Sequence, residues 1–117
     1  MDEDDDEGPI DYSDDPDAAE AVRVAKAVLA GSTPVVEGCR RLRKPLYELY
    51  VMDEQPFSVI FEVAGKVSEF PMPEDRHLWN PAVVAVKDAE LEAWLPQVQG
   101  RVFDACNEVI RRFGAAG

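Results

Sequence analysis

The stretch FSVIFEVAGKVSEF, residues 57–70, decides the fold, because it satisfies two periodicities at once. Strict alternation would set Phe57, Val59, Phe61 and Val63 on one face of a strand, with Gly65-Lys66 turning a hairpin into Val67–Phe70. Helical spacing works as well, since Phe57, Ile60, Phe61, Ala64 and Val67 or Ser68 follow the i, i+3, i+4, i+7 rule. The choice turns on the rest of the chain. No other segment reads as a strand, and an isolated two-stranded hairpin is marginal in water. The helical reading is therefore preferred, and it makes the fold all-α.

Outward from that stretch, helix signals recur. Asp15-Pro16 is a cap followed by a residue pre-shaped for the first helical position, with Asp17 at the positive end of the dipole. The helix runs to about Ala30, with Val22, Ala25 and Leu29 as its stripe, Val28 widening it, and Gly31 placed for a left-handed cap. Thr33-Pro34 repeats the signature and opens a second helix, on which Val35, Cys39 and Leu42 share a face. Arg40, Arg41, Arg43 and Lys44 crowd toward its C-terminal end. They suit a solvated helix end that complements the dipole, or an anion site. Pro45 breaks the pattern and opens a short third helix with Leu46, Leu49 and Tyr50 on one face, followed by a turn over Asp53–Pro56.

Beyond residue 70, Pro71, Pro73, Glu74 and Asp75 mark a loop that carries Arg76, His77 and Trp79. Asn80-Pro81 starts a short helix ending at Val84 or Val86. Asp88 then caps the last and longest one, whose stripe is Leu91, Leu95, Val98, Val102, Cys106 with Ala105, Val109 and Phe113. Pro96 inside that stripe predicts a kink or break near Trp94. The expected architecture is a compact bundle of about five or six helices with a long C-terminal helix. It divides into an acidic segment 1–15 expected to be disordered, one domain over 16–113 and a frayed end at 114–117.

Charge sharpens this division. Of the 24 acidic residues, ten lie between Asp2 and Asp17 with no Lys or Arg among them, so the net charge of −12 separates into −10 for that segment and −2 for the remainder. The body is close to neutral. Asp2, Glu3, Asp4, Asp5, Asp6 and Glu7 form an electrostatic tail. Ile10 and Tyr12 give it two apolar residues that could dock onto a partner or back onto the domain. A solubilising role is the plainer alternative.

Several chemistries lack their residues. There is no GxGxxG or GxxxxGK[ST] motif, so nucleotide enzymology is not expected. One histidine, His77, and two cysteines 67 positions apart do not make a zinc site or a CxxC motif, and Cys39 and Cys106 read as buried thiols. An EF-hand reading of Asp11, Ser13 and Asp15 fails because Pro16 stands where the loop needs Gly and Val22 where it needs Glu. No cofactor or metal is expected. Nucleic-acid binding is disfavoured by the tail's repulsion of phosphates, and no apolar run approaches the ~18 residues of a membrane span. The acidic start lacks the pattern of an export signal, which makes the cytoplasm the expected location.

What remains is Ser68–Asn80, SEFPMPEDRHLWN, where Glu69, Arg76, His77 and Trp79 gather the side-chain types that anchor interfaces. The alternative is structural, with Trp79 plugging the core beneath the loop and Arg76 paired to Glu69 or Asp75. Glu69 and His77 would also serve as an acid and base in a small hydrolase or isomerase.

The run AxxVAKAVLAG ending at Gly31, then EGCRRL over 37–42, Ser68-Glu69, Arg76-x-x-Trp79 and Cys106 in the last helix together resemble a family of small bacterial proteins of unknown function. The resemblance covers about residues 18–113. It departs where the family carries Ser-Glu-Thr-Asp before a proline and this chain has Ser68-Glu69-Phe70-Pro71. It implies an all-helical fold without catalytic activity, of the kind used as immunity or accessory factors. The expectation is thus a non-catalytic protein-binding module, such as an immunity or inhibitor protein that meets a basic partner, with a regulatory or scaffold domain as the alternative.

Overall fold

A computed structural model describes residues 14–70 and 74–114. Four α-helices occupy them: α1 (Pro16–Leu29), α2 (Val35–Glu48), α3 (Ser58–Val67) and α4 (Pro81–Phe113), with a short 3₁₀ turn over Arg76–Leu78. No strand occurs among the described residues. The ambiguous stretch is helical from Ser58 to Val67, with Val59, Ile60, Val63, Ala64 and Val67 buried. Helix wins because it lets both apolar phases of that stretch be used. Ile60 and Ala64 turn inward beside Val59, Val63 and Val67, which a single strand face would have excluded.

Four helices replace the expected five or six, and prolines account for the difference. Pro45 opens no new helix, because α2 continues through it to Glu48. A proline inside a helix costs about 3 kcal/mol through one lost hydrogen bond and a clash. On either side of it Leu42 and Leu46 are fully buried, each contributing about 1.5–3 kcal/mol, and both need the helical register to reach the core. Leu49 and Tyr50 do not share their buried face. Leu49 is half-buried and Tyr50 is 88% exposed.

The second correction lies in α4. Asn80 caps it as expected, its side chain accepting from the backbone N–H of Ala82 at 2.8 Å. The helix then runs unbroken for 33 residues through Asp88 and Pro96. Asp88 caps nothing, since its carboxylate is held by Arg76. Pro96 is exposed, so the one carbonyl it leaves without an N–H can turn to water and the helix need not break. Thr33 makes no cap either. The residue preceding α2 is Pro34, which offers no side-chain hydrogen bond.

The core lies where α1 packs on α2 and α4, and α3 on α2 and α4. Its α4 stripe is Val98, Val102, Ala105, Cys106, Val109 and Phe113, while Leu91 and Leu95 are half-buried at its margin. The α1 stripe is shifted from the expected one. Ala18, Ala21, Val24, Ala25 and Val28 are buried, whereas Val22 is half-buried and Leu29 exposed. Small residues let the helices approach closely. At Gly38 a Cβ would collide with Cγ2 of Val28, so α1 and α2 touch there almost backbone to side chain. Cys39 and Cys106 are free and buried. Burial, with Cys106 nearby, pushes the Cys39 thiol up to about 12, and burial pushes Cys106 to about 11. Both stay protonated at neutral pH and pack as small apolar side chains.

Between its ends α4 changes character. From Pro81 to Ala93 it buries no residue, and Val83 and Val86 are 42% and 58% exposed. This segment leans on the 3₁₀ turn through Arg76–Asp88 at 2.7 and 3.1 Å, and the Lys87 ammonium sits 5.3 Å from the Phe70 ring.

Candidate binding site

Two helix ends close with the same hydrogen-bond pattern, and the second of them frames a groove. After α1, Ser32 N–H donates to Ala27 carbonyl at 3.0 Å and Gly31 N–H to Val28 carbonyl at 3.1 Å. After α2, Val51 N–H donates to Leu46 carbonyl at 3.4 Å and Tyr50 N–H to Tyr47 carbonyl at 3.1 Å. Both are the paired 6→1 and 5→2 bonds that end a helix on a left-handed residue. Gly31 takes that conformation at φ 82°, where glycine has no penalty. Tyr50 takes it at φ 62°, where a bulky side chain stores strain of about 1–3 kcal/mol. The Tyr50 ring gains no burial in return, being 88% exposed.

Beside this end, α2 and α3 enclose an open groove of about 480 Å³, lined by Arg40, Arg43, Lys44, Tyr47, Met52, Phe61 and Gly65. Phe61 is half-buried and forms floor, Tyr47 is 55% exposed, and Met52 37%. At Gly65 nothing lies within 4 Å of where a Cβ would be, so a side chain there would project into the open space of the groove. A glycine inside a helix costs about 1 kcal/mol relative to alanine, so this opening is maintained against helix propensity.

The charges of the groove are distinctive. Most cations of the described residues are paired: Arg23 with Glu20, Arg40 and Arg41 with Glu37, Arg101 with Glu62, Arg111 with Glu108, and Arg112 with Glu54 and Glu108. Lys66 lies over Trp94, 5.7 Å from the ring centroid. Arg43 and Lys44 have no carboxylate within salt-bridge distance among the described residues, and both face solvent at the groove. Two adjacent unneutralised cations over an apolar floor present a surface complementary to a carboxylate-bearing chain with an apolar anchor.

The residues chosen from sequence lie elsewhere. Arg76 reaches neither Glu69 nor Asp75 but forms a bidentate pair with Asp88, twelve positions on. The hydrogen bonds and charge of Arg76 hold the Asp88 carboxyl below the usual carboxylate range, and Asp88 raises the guanidinium in turn. Glu69 and His77 are exposed, no hydrogen bond joins them, and neither lines the groove. Trp79 is half-buried, between the core plug and the free anchor. Leu78, unremarked in the sequence, is the most open large apolar residue of that turn at 73% exposure. Asp2, Glu3, Asp4, Asp5, Asp6 and Glu7 fall outside the described residues.

Sequence reasoning passed over the groove because most of its lining comes from two helices, with residues 14 to 25 positions apart across them. The cationic run was visible. Its opposition to Phe61 and Gly65 depends on how α2 and α3 pack. No cluster of His, Cys, Asp or Glu able to hold a metal ion occurs among the described residues, and no helix there is long and apolar enough to cross a membrane. Comparison with known proteins finds no matching family model, no matching curated protein and no matching solved structure.

Proposed function

We propose that the chain is a non-catalytic protein-binding module whose docking surface is the α2–α3 groove. The observation that carries this reading is the placement of Arg43 and Lys44, which meet no carboxylate among the described residues, beside the apolar floor at Phe61. Its ligand is an acidic segment carrying an aromatic or aliphatic anchor. The anchor would displace water from Tyr47, Met52 and Phe61, while its carboxylates meet Arg40, Arg43 and Lys44. Arginine and tyrosine at the rim of an apolar depression are the residue types that concentrate binding energy.

The test uses the full chain with Asp2, Glu3, Asp4, Asp5, Asp6 and Glu7 changed to Asn or Gln, which removes their repulsion of an acidic probe. A synthetic acidic peptide with one tyrosine, titrated at about 20 mM salt, should shift the amides of Arg43, Tyr47 and Gly65, and about 300 mM salt should weaken it strongly. Shifts confined to other surfaces, or shifts unchanged in Arg43→Glu/Lys44→Glu, would remove the groove from consideration.

A second reading is favoured by the ten acidic residues between Asp2 and Asp17. In it the module is a bacterial immunity or inhibitor protein that meets a basic protein through its tail, and Glu69, Arg76, His77 and Trp79 supply the anchor. Its association rate with a cationic protein should fall steeply between low and physiological salt.

A further inference from the structure

We propose that the N-terminal half of α4 is a docking surface for an amphipathic helix of another protein, one whose apolar seam is flanked by Lys or Arg. None of its residues lines the α2–α3 groove, so it is a second surface that stands without the first.

α4 carries two apolar stripes, and the bundle uses one of them. The inner stripe, Leu91, Val98 and Val102, faces the core or its margin. At about 100° per residue, Ala82, Val86, Ala89, Ala93, Pro96 and Gly100 fall half a turn away from it. All six are exposed, and no residue from Pro81 to Gln97 is buried. Their spacing of 4, 3, 4, 3 and 4 is that of a seam along which two helices pack lengthwise. Small side chains on such a seam let the axes approach to about 8 Å and leave room for larger side chains from the other helix.

In the free chain this composition brings no return. Val83 and Val86 are β-branched, weaker helix formers than the straight-chain polar residues that suit a solvated face, yet they are 42% and 58% exposed. Burial against a second helix would recover what they cost, at about 25 cal/mol per Å² of apolar surface removed from water.

Charge names the occupant. Positions 83, 90 and 97 flank the seam on one side and 85, 92 and 99 on the other; they hold Glu90 and Glu92 and no Lys or Arg. Both glutamates are exposed. Among the described residues Glu92 meets no cation within salt-bridge distance, and Glu90 meets Lys87 at 3.7 Å. Flanking charges select the partner of a helical seam. A second copy would bring only carboxylates to those positions, on chains that each carry −12. A helix with Lys or Arg there pairs with both flanks while its seam fills the space above the alanines.

The test uses the full chain with Asp2–Glu7 neutralised as above, which removes the competing attraction of that segment. The probe is a synthetic helical peptide with Leu along its seam and Lys at both flanks, and a control peptide carries Glu at the flanks. At about 20 mM salt the Lys peptide should shift the amides of Ala82, Val86, Ala89 and Ala93, and the Glu peptide should not. Glu90→Lys/Glu92→Lys should exchange the two preferences. Ala89→Asp separates packing from attraction, because it adds a carboxylate but sets a charge within the seam; binding of the Lys peptide should be lost. A response to neither peptide, shifts that ignore the charge exchange, or equal or tighter binding in Ala89→Asp would each overturn the inference. The wild-type chain alone should sediment as a monomer at rising concentration. Self-association that shifts the amides of Ala82–Ala93 would put a second copy on the seam and overturn the choice of a basic helix.

Discussion

The turn after α1 and the turn after α2 share a hydrogen-bond pattern and differ in what they do with it. The first is built for closure. Gly31 adopts the left-handed conformation without strain, and a few residues later Gly38 lets α2 approach Val28 without an intervening side chain. The second is held open. Tyr50 stores backbone strain, its ring is exposed, and beyond it Met52, Phe61 and Gly65 line a groove that a larger side chain at position 65 would fill. Where a chain bears strain and an open helix position together, the surface they shape is a candidate for function. The end with neither is a candidate for stability alone.

This contrast can be broken from either side. The largest effect should come from Leu46→Ala, which empties a fully buried site at the carbonyl that accepts the Val51 bond. Loss of about 2–5 kcal/mol is expected in urea unfolding, with the groove lost as well. Gly38→Ala should cost about 1–3 kcal/mol, because the β-branched Val28 must move within a packed core; an unchanged denaturation midpoint would show that α1 and α2 can separate freely.

A pair of exchanges tests the two caps directly. Gly31→Ala should destabilise by about 1–2 kcal/mol, and Tyr50→Gly should stabilise by about 1 kcal/mol at the identical position of the motif. If Tyr50→Gly also weakens the acidic peptide while stability rises, strain and recognition coincide at that end. A loss of stability in Tyr50→Gly would show that the ring is held by packing and that the contrast is false.

The smallest effect concerns the exposed half of α4. Asp88 has a folded pKa below its unfolded one because Arg76 donates two hydrogen bonds to it and adds its charge. The pair therefore contributes fully above the ordinary carboxylate range and is lost as pH falls through the depressed value. Amide exchange over 81–90 should quicken in acid relative to the α4 core, and Asp88→Asn should remove that pH dependence while leaving Val98–Phe113 unaffected.

Legibility followed the range of the interaction. The long stripe of α4 from Val98 to Phe113 was readable because seven-residue spacing is a local property of one helix. Caps at Asp15 and Asn80 were readable for the same reason, each side chain bonding an N–H two residues on. The helix breaks expected at Pro45 and Asp88 failed because local preference met burial. The register of Leu42 and Leu46 outweighs one proline, and Asp88 found a tertiary partner better than an N-terminus. The phase of α1 slipped because Ala18 and Ala21 are too small to register as apolar anchors beside Val22 and Leu29, although close helix contact selects them. Away from the groove, Arg76 pairs with Asp88 twelve positions on and with neither Glu69 nor Asp75, because the partner is set by where the 3₁₀ turn meets α4 and not by nearness in the chain.

The sequence by itself determined the helical class, the single long C-terminal stripe, the buried thiols and the separation of a −10 segment from a −2 remainder, all properties carried by neighbours in the chain or by simple addition. Only the tertiary structure decided that α2 and α3 leave a groove, that among the described residues Arg43 and Lys44 meet no carboxylate while the other arginines pair, and that Tyr50 occupies a glycine's conformation. Each depends on which faces meet and how closely, and that is set by side-chain volume and burial across the bundle, terms that no spacing along one helix contains.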